Sequence, residues 1–172
     1  KIGDWDWFDN PFVGQRELNG LRVMMSLLNS WDLKRMNNAI YVVGGELHYV
    51  VSDLGGTFGQ TGDALTRTKG VPEDYEKSPF VGKVTPTSID FLLYSRPTLM
   101  SVLDVPNYRE RTRMERITRG IPRDDVTWLE RRLCGLTTDQ VRDGFRAAGY
   151  SGADLETLTR AMLRRIAALG AL

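Results

Sequence analysis

Two stretches rich in β-forming residues, 39–43 and 46–52, are separated only by Gly44-Gly45. Glycine adopts positive backbone φ angles without steric cost, so a Gly-Gly pair between two such stretches predicts a β-hairpin with a two-residue turn. In an antiparallel hairpin, the residues just before the first strand and just after the second strand meet at the open end. The polar residues on these two flanks are therefore predicted to lie close together.

The two flanks carry an informative set of polar side chains. Asp32, Lys34 and Asn37 lie before the hairpin, and Asp53-Leu54-Gly55 follows it. Phosphoryl transfer from a magnesium nucleotide needs a carboxylate that accepts the proton of the attacking hydroxyl and an ammonium that stabilises the transferred phosphoryl group. It also needs oxygen ligands for the metal, which an amide and a second carboxylate provide. The spacing therefore predicts a phosphotransferase-like site.

This order of residues resembles the catalytic loop and the metal-binding turn of the protein-kinase-like superfold. The loop of that superfold reads His-Arg-Asp-x-Lys-x-x-Asn and its turn reads Asp-Phe-Gly. Asp32, Lys34 and Asn37 match the loop by residue type and spacing, and the turn matches with leucine in place of phenylalanine. The resemblance covers roughly residues 15–75. Because Ser30-Trp31 replaces His-Arg, the atypical HipA-like and phosphatidylinositol-kinase-like members are the better comparison.

The resemblance implies a role for each of these residues. Asp32 is the expected catalytic base, and Lys34 is expected to neutralise the transferred phosphoryl group. Asn37 and Asp53 are the expected ligands of Mg²⁺, and together with Gly55 they form the expected binding site for ATP. The acceptor is expected to be a hydroxyl group of a protein, a lipid or a small molecule.

The rest of the chain predicts an α+β fold that is mostly helical, a kinase-like C-lobe in which the hairpin carries the site. Apolar residues at helical spacing, strand-like runs and a Thr-x-x-Gln capping box mark the other elements. These elements are a helix over 16–29, strands over 80–84 and 88–93, and helices over 107–119, 122–134, 137–149 and from 151 onward. The last three helices are expected to form a small bundle.

The predicted elements divide the chain into two regions. A kinase-like core over residues 1–120 contains the catalytic loop at 30–38, the metal-binding turn at 53–55 and a mobile loop at 55–79. The mobile loop is predicted because its sequence is rich in glycine and threonine and shows no apolar period. A carboxy-terminal helical subdomain is predicted over residues 121–172.

Composition limits the partners and the compartment. The chain has 23 basic and 22 acidic residues, so its formal charge is +1 and no strong field favours nucleic acid. No apolar run approaches the ~20 residues that cross a bilayer, so no membrane span is predicted. The single cysteine, Cys134, excludes a disulfide within the chain and fits a reducing compartment, so we expect a cytoplasmic protein.

The resemblance also implies an N-terminal lobe that covers the nucleotide. No glycine-rich strand-turn and no lysine-bearing strand precede residue 16, so this lobe is expected to be missing and the chain to be a fragment. The alternative is a catalytically inactive kinase-like scaffold, or an unrelated α+β module that binds proteins through its carboxy-terminal helices. Only the enzyme requires the side chains of Asp32, Asn37 and Asp53 to face one cleft.

Two further alternatives stay open at this point. Asn38 replaces Asn37 as the metal ligand if the loop register differs by one, although the five-residue step from Asp32 favours Asn37. The aromatic residues near the start of the chain, Trp5, Trp7 and Phe8, either form a ligand-stacking surface or pack on the core.

Overall fold

A computed structural model describes residues 1–60, 68–93 and 105–172. The described part contains six helices and two small antiparallel sheets, with 48% of residues in helices and 16% in strands. The predicted α+β class with a mostly helical composition is therefore confirmed. Among the described residues, none of the helices combines the length and the apolar character that a membrane crossing requires.

The helices and strands follow one another in a simple order. The first elements are α1 (Arg16–Leu27), a short 3-10 turn (Arg35–Asn37), β1 (Asn38–Val43) and β2 (Glu46–Val51). The middle elements are α2 (Pro72–Lys77), β3 (Val81–Val84), β4 (Ser88–Phe91), α3 (Val105–Ile117) and β5 (Ile121–Pro122). The last elements are α4 (Arg123–Leu133), α5 (Thr138–Ala147) and α6 (Gly152–Gly170).

The predicted hairpin is confirmed. Strands β1 and β2 pair antiparallel, with Val43 opposite Glu46 at the turn. Gly44 and Gly45 have φ angles of 60° and 88°, which residues with a side chain adopt only at a cost. A second sheet has the order β3-β4-β5 and lies apart from the hairpin in sequence.

The capping box predicted at Thr137 is also present, because its hydroxyl accepts the Gln140 amide hydrogen at 3.2 Å.

Several elements differ in their bounds from the sequence prediction, and strand β5 was not predicted. Helix α1 ends at Leu27 rather than at residue 29, because Asn29 adopts the left-handed backbone conformation with a φ of 54°. The segment predicted as the mobile loop, 55–79, contains helix α2, while its residues 61–67 lie outside the described part. Helix α2 begins with Pro72, a residue that suits the first turn because its missing N–H has no partner there.

The hydrophobic side chains form two clusters that meet on α1. The first cluster lies between α1, the β3-β4-β5 sheet and the carboxy-terminal helices, and includes Val23, Leu27, Tyr75, Ile89, Phe91, Ile121, Leu129, Phe145, Leu158 and Ile166. The second lies between α1, the N-terminal segment and the loop before β1, and contains Trp5, Trp7, Leu18, Met25, Leu33, Leu93, Met114 and Ile117. The first cluster draws residues from both sides of the boundary predicted at residue 120. The division into two regions stays a prediction.

A buried arginine connects the last helix to the ends of two earlier ones. Arg165 of α6 is only 6% exposed. Its guanidinium donates to the carbonyl oxygens of Ser26 and Leu27 at 3.4 Å and to those of Tyr75 and Ser78 at 3.0 and 3.1 Å. These carbonyls lie at the carboxyl ends of α1 and α2, where the helix dipoles are negative. The single guanidinium therefore provides both helix ends with hydrogen-bond donors and with a positive charge. Burial lowers the pKa of Arg165.

Asn29 extends this contact to the loop that follows α1. Its amide oxygen accepts a hydrogen bond from Arg165 at 3.3 Å. Its amide nitrogen donates to the Gly59 carbonyl at 2.7 Å and to the Ser78 hydroxyl at 2.8 Å. The buried network of Arg165, Asn29 and Ser78 therefore fixes the point at which the chain leaves α1 and enters the loop before β1.

Replacing Arg165 by methionine tests this network. The change removes a hydrogen-bond donor from buried carbonyl groups at two helix ends, so we expect the free energy of unfolding to fall by roughly 3 kcal/mol. Arg164→Met is the matched control, because Arg164 is 59% exposed and pairs with Glu76 at the surface, where a loss below about 1 kcal/mol is expected. Urea denaturation measures both values. Equal losses in the two variants would contradict the role of the network.

The ionisation of Tyr75 tests the packing around the same network. Burial raises the pKa of Tyr75 from 10.0 to about 12, and its hydroxyl donates to the Leu27 carbonyl at 2.7 Å. The folded protein thus holds this proton more tightly than the unfolded chain does. The contribution of the Tyr75 hydroxyl to the free energy of unfolding is therefore complete below pH 10 and is lost as the pH rises towards 12.

Tyr75→Phe supplies the comparison for that measurement. The native protein should lose more unfolding free energy than Tyr75→Phe when denaturant titrations below and above pH 10 are compared. Other groups that titrate in this range contribute equally to both proteins. An identical loss in both proteins would show that Tyr75 is not shielded from solvent in the way described.

Candidate functional site

The open end of the hairpin brings its two flanks together. The amide of Ser52 donates to the Asn37 carbonyl at 2.8 Å, and the Ser52 hydroxyl donates to the same oxygen at 2.9 Å. The pairing of the two chains thus continues one step beyond Asn38 and Val51, the last pair of the strands. Asp53 comes directly after this step, next to the loop that carries Asp32 and Asn37.

The loop before β1 is held in shape by its own polar groups. It starts at Ser30, whose amide donates to the Met25 carbonyl at 2.8 Å. Leu33 is buried in the second hydrophobic cluster and anchors the middle of the loop. The Asn37 side-chain nitrogen donates to the Asp32 carbonyl at 2.9 Å. The Asn37 side-chain oxygen has no hydrogen-bond partner in the described ranges, so it remains available as a ligand.

Asp32 and Lys34 lie in contact. The Lys34 ammonium is 3.2 Å from Asp32 Oδ1, and the two side chains are 36% and 26% exposed. The Oδ1 atom itself is buried, and its contact with the ammonium lacks the geometry of a hydrogen bond.

The turn after β2 packs against this loop. The Gly55 amide donates to Asp53 Oδ1 at 2.8 Å, which closes a turn of the Asx type. The Trp31 amide donates to the Gly56 carbonyl at 3.2 Å, and a Cβ atom at position 56 would lie 3.4 Å from the Asp32 Cβ atom. The Asp53 turn and the Asp32 loop are therefore in direct contact.

The structure brings the predicted site residues into one region of the molecule. Asp32, Lys34 and Asn37 share a single loop, and Asp53 and Gly55 belong to the turn that packs on it. In the described ranges, no group of three or more histidine, cysteine, aspartate or glutamate side chains is arranged to hold a metal ion. The predicted set contains two carboxylates and an amide, so Mg²⁺ and ATP at this site stay predictions.

Asn38 belongs to the interior. It is fully buried, and its side-chain nitrogen donates to the Trp5 carbonyl at 3.0 Å. It therefore holds the N-terminal segment on the hairpin, and Asn37 is the amide that lies beside Asp32. Trp5 and Trp7 are each only 4% exposed and pack in the second cluster, whereas Phe8 remains 40% exposed.

A cavity beside Lys34 was not predicted from the sequence. Its volume is about 290 Å³, and three segments form its walls: the N-terminal segment, the loop before β1 and helix α3. Arg113 of α3 pairs with the buried Asp6 at 2.5 Å across 107 positions of the sequence. A local motif carries no signal for a contact between residues so far apart. Two of the three aromatic residues for which a ligand-stacking surface was one alternative, Trp7 and Phe8, line this cavity.

Comparison of the chain with known protein families, with curated proteins and with solved structures finds no match.

Asn37→Ala tests how the loop is held. The change removes the donor to the Asp32 carbonyl, so we expect a loss of about 1 kcal/mol in unfolding free energy and faster amide hydrogen exchange at residues 32–37. Met36→Ala is the control, since Met36 is exposed in the same loop. Hydrogen exchange followed by NMR measures the effect. Unchanged exchange in Asn37→Ala would show that this hydrogen bond does not hold the loop.

Proposed function

We propose that the chain is the carboxy-terminal lobe of an atypical kinase-like phosphotransferase, which transfers the γ-phosphoryl group of ATP to a hydroxyl acceptor. One observation carries this proposal: the loop with Asp32 and Asn37 meets the Asp53 turn at the open end of the hairpin. The hydrogen bond from Trp31 to Gly56 and the one from Ser52 to Asn37 join the two segments. A base, a cation and oxygen ligands for a metal then belong to one site.

The residues have distinct parts in the proposed reaction. The acceptor oxygen bonds to the γ-phosphorus, the bond between that phosphorus and the bridging oxygen of ADP breaks, and the hydroxyl proton passes to the Asp32 carboxylate. The Asp32 side chain is 26% exposed although its Oδ1 atom is buried, so the acceptor hydroxyl would approach the exposed part of this side chain. Lys34 lies 3.2 Å from that oxygen, so its charge stabilises the transferred phosphoryl group.

The Asp53 carboxylate and the Asn37 amide have oxygen atoms of the kind that binds Mg²⁺. Mg²⁺ in nucleotide sites takes one or two protein carboxylates, substrate phosphates and several waters. One Asp53 oxygen accepts the Gly55 amide hydrogen, and the other accepts no hydrogen bond in the described part of the chain. Together with the Asn37 amide oxygen it provides two ligands of the right kind. Bound there, the metal would neutralise charge on the nucleotide phosphates.

The alternative, an interaction module, is favoured by a separate surface. Strands β1 and β2 expose apolar side chains, and exposed apolar side chains are typical of surfaces that bind another polypeptide. Val42 and Leu47 lie on one face of the hairpin, and Tyr41, Val43 and Val50 lie on the other. This surface lies on the same hairpin as the proposed site, so an N-terminal lobe that contacts it would also lie close to the nucleotide.

Nucleotide binding by the full protein tests the proposed metal site. Asp53→Ala removes a magnesium ligand, so we expect magnesium-dependent ATP affinity to fall at least about tenfold in isothermal titration calorimetry. Asp32→Asn should retain that affinity but lose phosphoryl transfer about a hundredfold or more, because the base is gone. Asp143→Ala is the control, since Asp143 is exposed on α5 and pairs with Arg146.

Two results would contradict the proposal. Equal magnesium-dependent ATP affinity in the native protein and Asp53→Ala would show that Asp53 does not bind the metal. Unchanged turnover in Asp32→Asn would show that Asp32 is not the catalytic base. An equal loss in Asp143→Ala would show that the effect of Asp53→Ala is not specific to the site.

A further inference from the structure

The hairpin of β1 and β2 has two outer edges, and within the described residues only the β1 edge is paired further. There the Ile40 amide donates to the Gly3 carbonyl at 2.8 Å, and the Ile2 amide donates to the Ile40 carbonyl at 2.8 Å. The N-terminal segment therefore extends the sheet on the β1 side. On the other side, no described strand lies next to β2.

The turn determines which backbone groups of β2 point outward. Val43 and Glu46 flank the two-residue turn and form a hydrogen-bonded pair, and along an antiparallel ladder such pairs alternate with pairs that share no hydrogen bonds. Ile40 confirms the alternation, because its backbone groups bond to the N-terminal segment and not to the residue opposite it in β2. The outward-pointing N–H and C=O groups of β2 are those of Leu47, Tyr49 and Val51.

This edge of β2 lacks the features that usually prevent a strand edge from pairing. Natural edges are protected by proline, lysine, a β-bulge or a covering segment. The six residues of β2 include no proline and no lysine, and their pairing with β1 shows no register shift. In the described ranges, the N–H and C=O groups of Leu47, Tyr49 and Val51 have no hydrogen-bond partner. Each of these residues thus offers one donor and one acceptor to a further strand.

The same edge of a second copy of the chain is complementary to this one. An antiparallel arrangement with a two-fold axis at Tyr49 places Leu47 of each copy opposite Val51 of the other. Every outward N–H of β2 then meets a C=O of the second copy. A shift of two residues in either direction pairs the edge with a residue outside the strand, Gly45 or Asp53. The register centred on Tyr49 therefore makes the most hydrogen bonds.

The side chains of β2 fit the same arrangement. Glu46 is the only residue of the strand that is charged at neutral pH, and it lies opposite Ser52 of the second copy, so like charges do not face each other. Leu47 is 56% exposed, and in the pair it lies beside Val51 of the second copy. The edge thus meets the hydrogen-bond, charge and apolar requirements of a partner strand within its own sequence.

We propose that β2 of one copy of this chain pairs antiparallel with β2 of a second copy about Tyr49. The two hairpins then form one four-stranded sheet with the order β1-β2-β2-β1. The pairing does not depend on the proposed phosphoryl transfer. Because each copy contributes a single strand to the contact, the dimer is expected to dissociate on dilution.

Proline substitutions at one cross-strand pair test the proposed dimer. Val42 and Leu47 lie opposite each other, and the N–H of each points away from the hairpin, so proline at either position removes no hydrogen bond between β1 and β2. Leu47→Pro removes a donor from the β2 edge, and we expect the dissociation constant of the dimer to rise at least about tenfold. Val42→Pro is the matched control, because it removes a donor from the β1 edge and should leave that constant unchanged.

Sedimentation velocity of the full protein over a range of concentrations measures the dissociation constant, and circular dichroism shows whether the variants fold. Leu47→Lys is a second variant without proline, which puts a charge beside the apolar Val51 of the second copy and should also weaken the dimer. An equal effect of Val42→Pro would overturn the inference. A native protein that stays monomeric at all concentrations would also overturn it and would leave the edge to an extended segment of another protein.

Disulfide formation tests the register. In the proposed pair, His48 lies opposite Val50 of the second copy at a position without hydrogen bonds, where Cα atoms are about 4.5 Å apart and a disulfide can form. The exposed Cys134 is first replaced by serine in all samples. A mixture of His48→Cys and Val50→Cys proteins should then form more cross-linked dimer on oxidation than either protein alone. Cross-linking that is strongest for His48→Cys alone would place the two-fold axis at His48 and contradict the register.

Discussion

The guanidinium of Arg165 is the contact on which the site depends. Helices α1 and α2 both end beside the first hydrophobic cluster, where buried carbonyl groups need hydrogen-bond donors from the protein. Arg165 donates to both ends from the last helix and reaches the side chain of Asn29 as well. Because Asn29 begins the exit from α1, this one cation sets where the loop with Asp32 starts.

The other end of that loop is fixed by the hairpin. Gly44 and Gly45 set the register, and the pairing then continues to Ser52 and Asn37. The Asp53 turn follows and closes on the loop through the Trp31 amide. The loop is thus held at its start by a buried polar network and at its end by backbone pairing. Rigid supports on both sides are what a preorganised site requires.

Local signals in the sequence predicted the hairpin and the capping box at Thr137. Each of these depends on residues that are close together in the chain. Helix α2 was missed because a six-residue helix shows no apolar period. The buried position of Arg165 was not predicted, since nothing in the sequence near it shows that it reaches Leu27 across 138 positions. The cavity wall formed by Arg113 was missed for the same reason.

Paramagnetic broadening of backbone amide NMR signals by Mn²⁺, with ATP present, tests most directly whether the two segments form one cation site. The account predicts the strongest broadening at residues 31–37 and 52–56 together, because the hairpin joins these segments. Amides near the exposed carboxylates of Asp139 and Asp143 should broaden little. Broadening spread evenly over surface carboxylates, or present at only one of the two segments, would contradict the account.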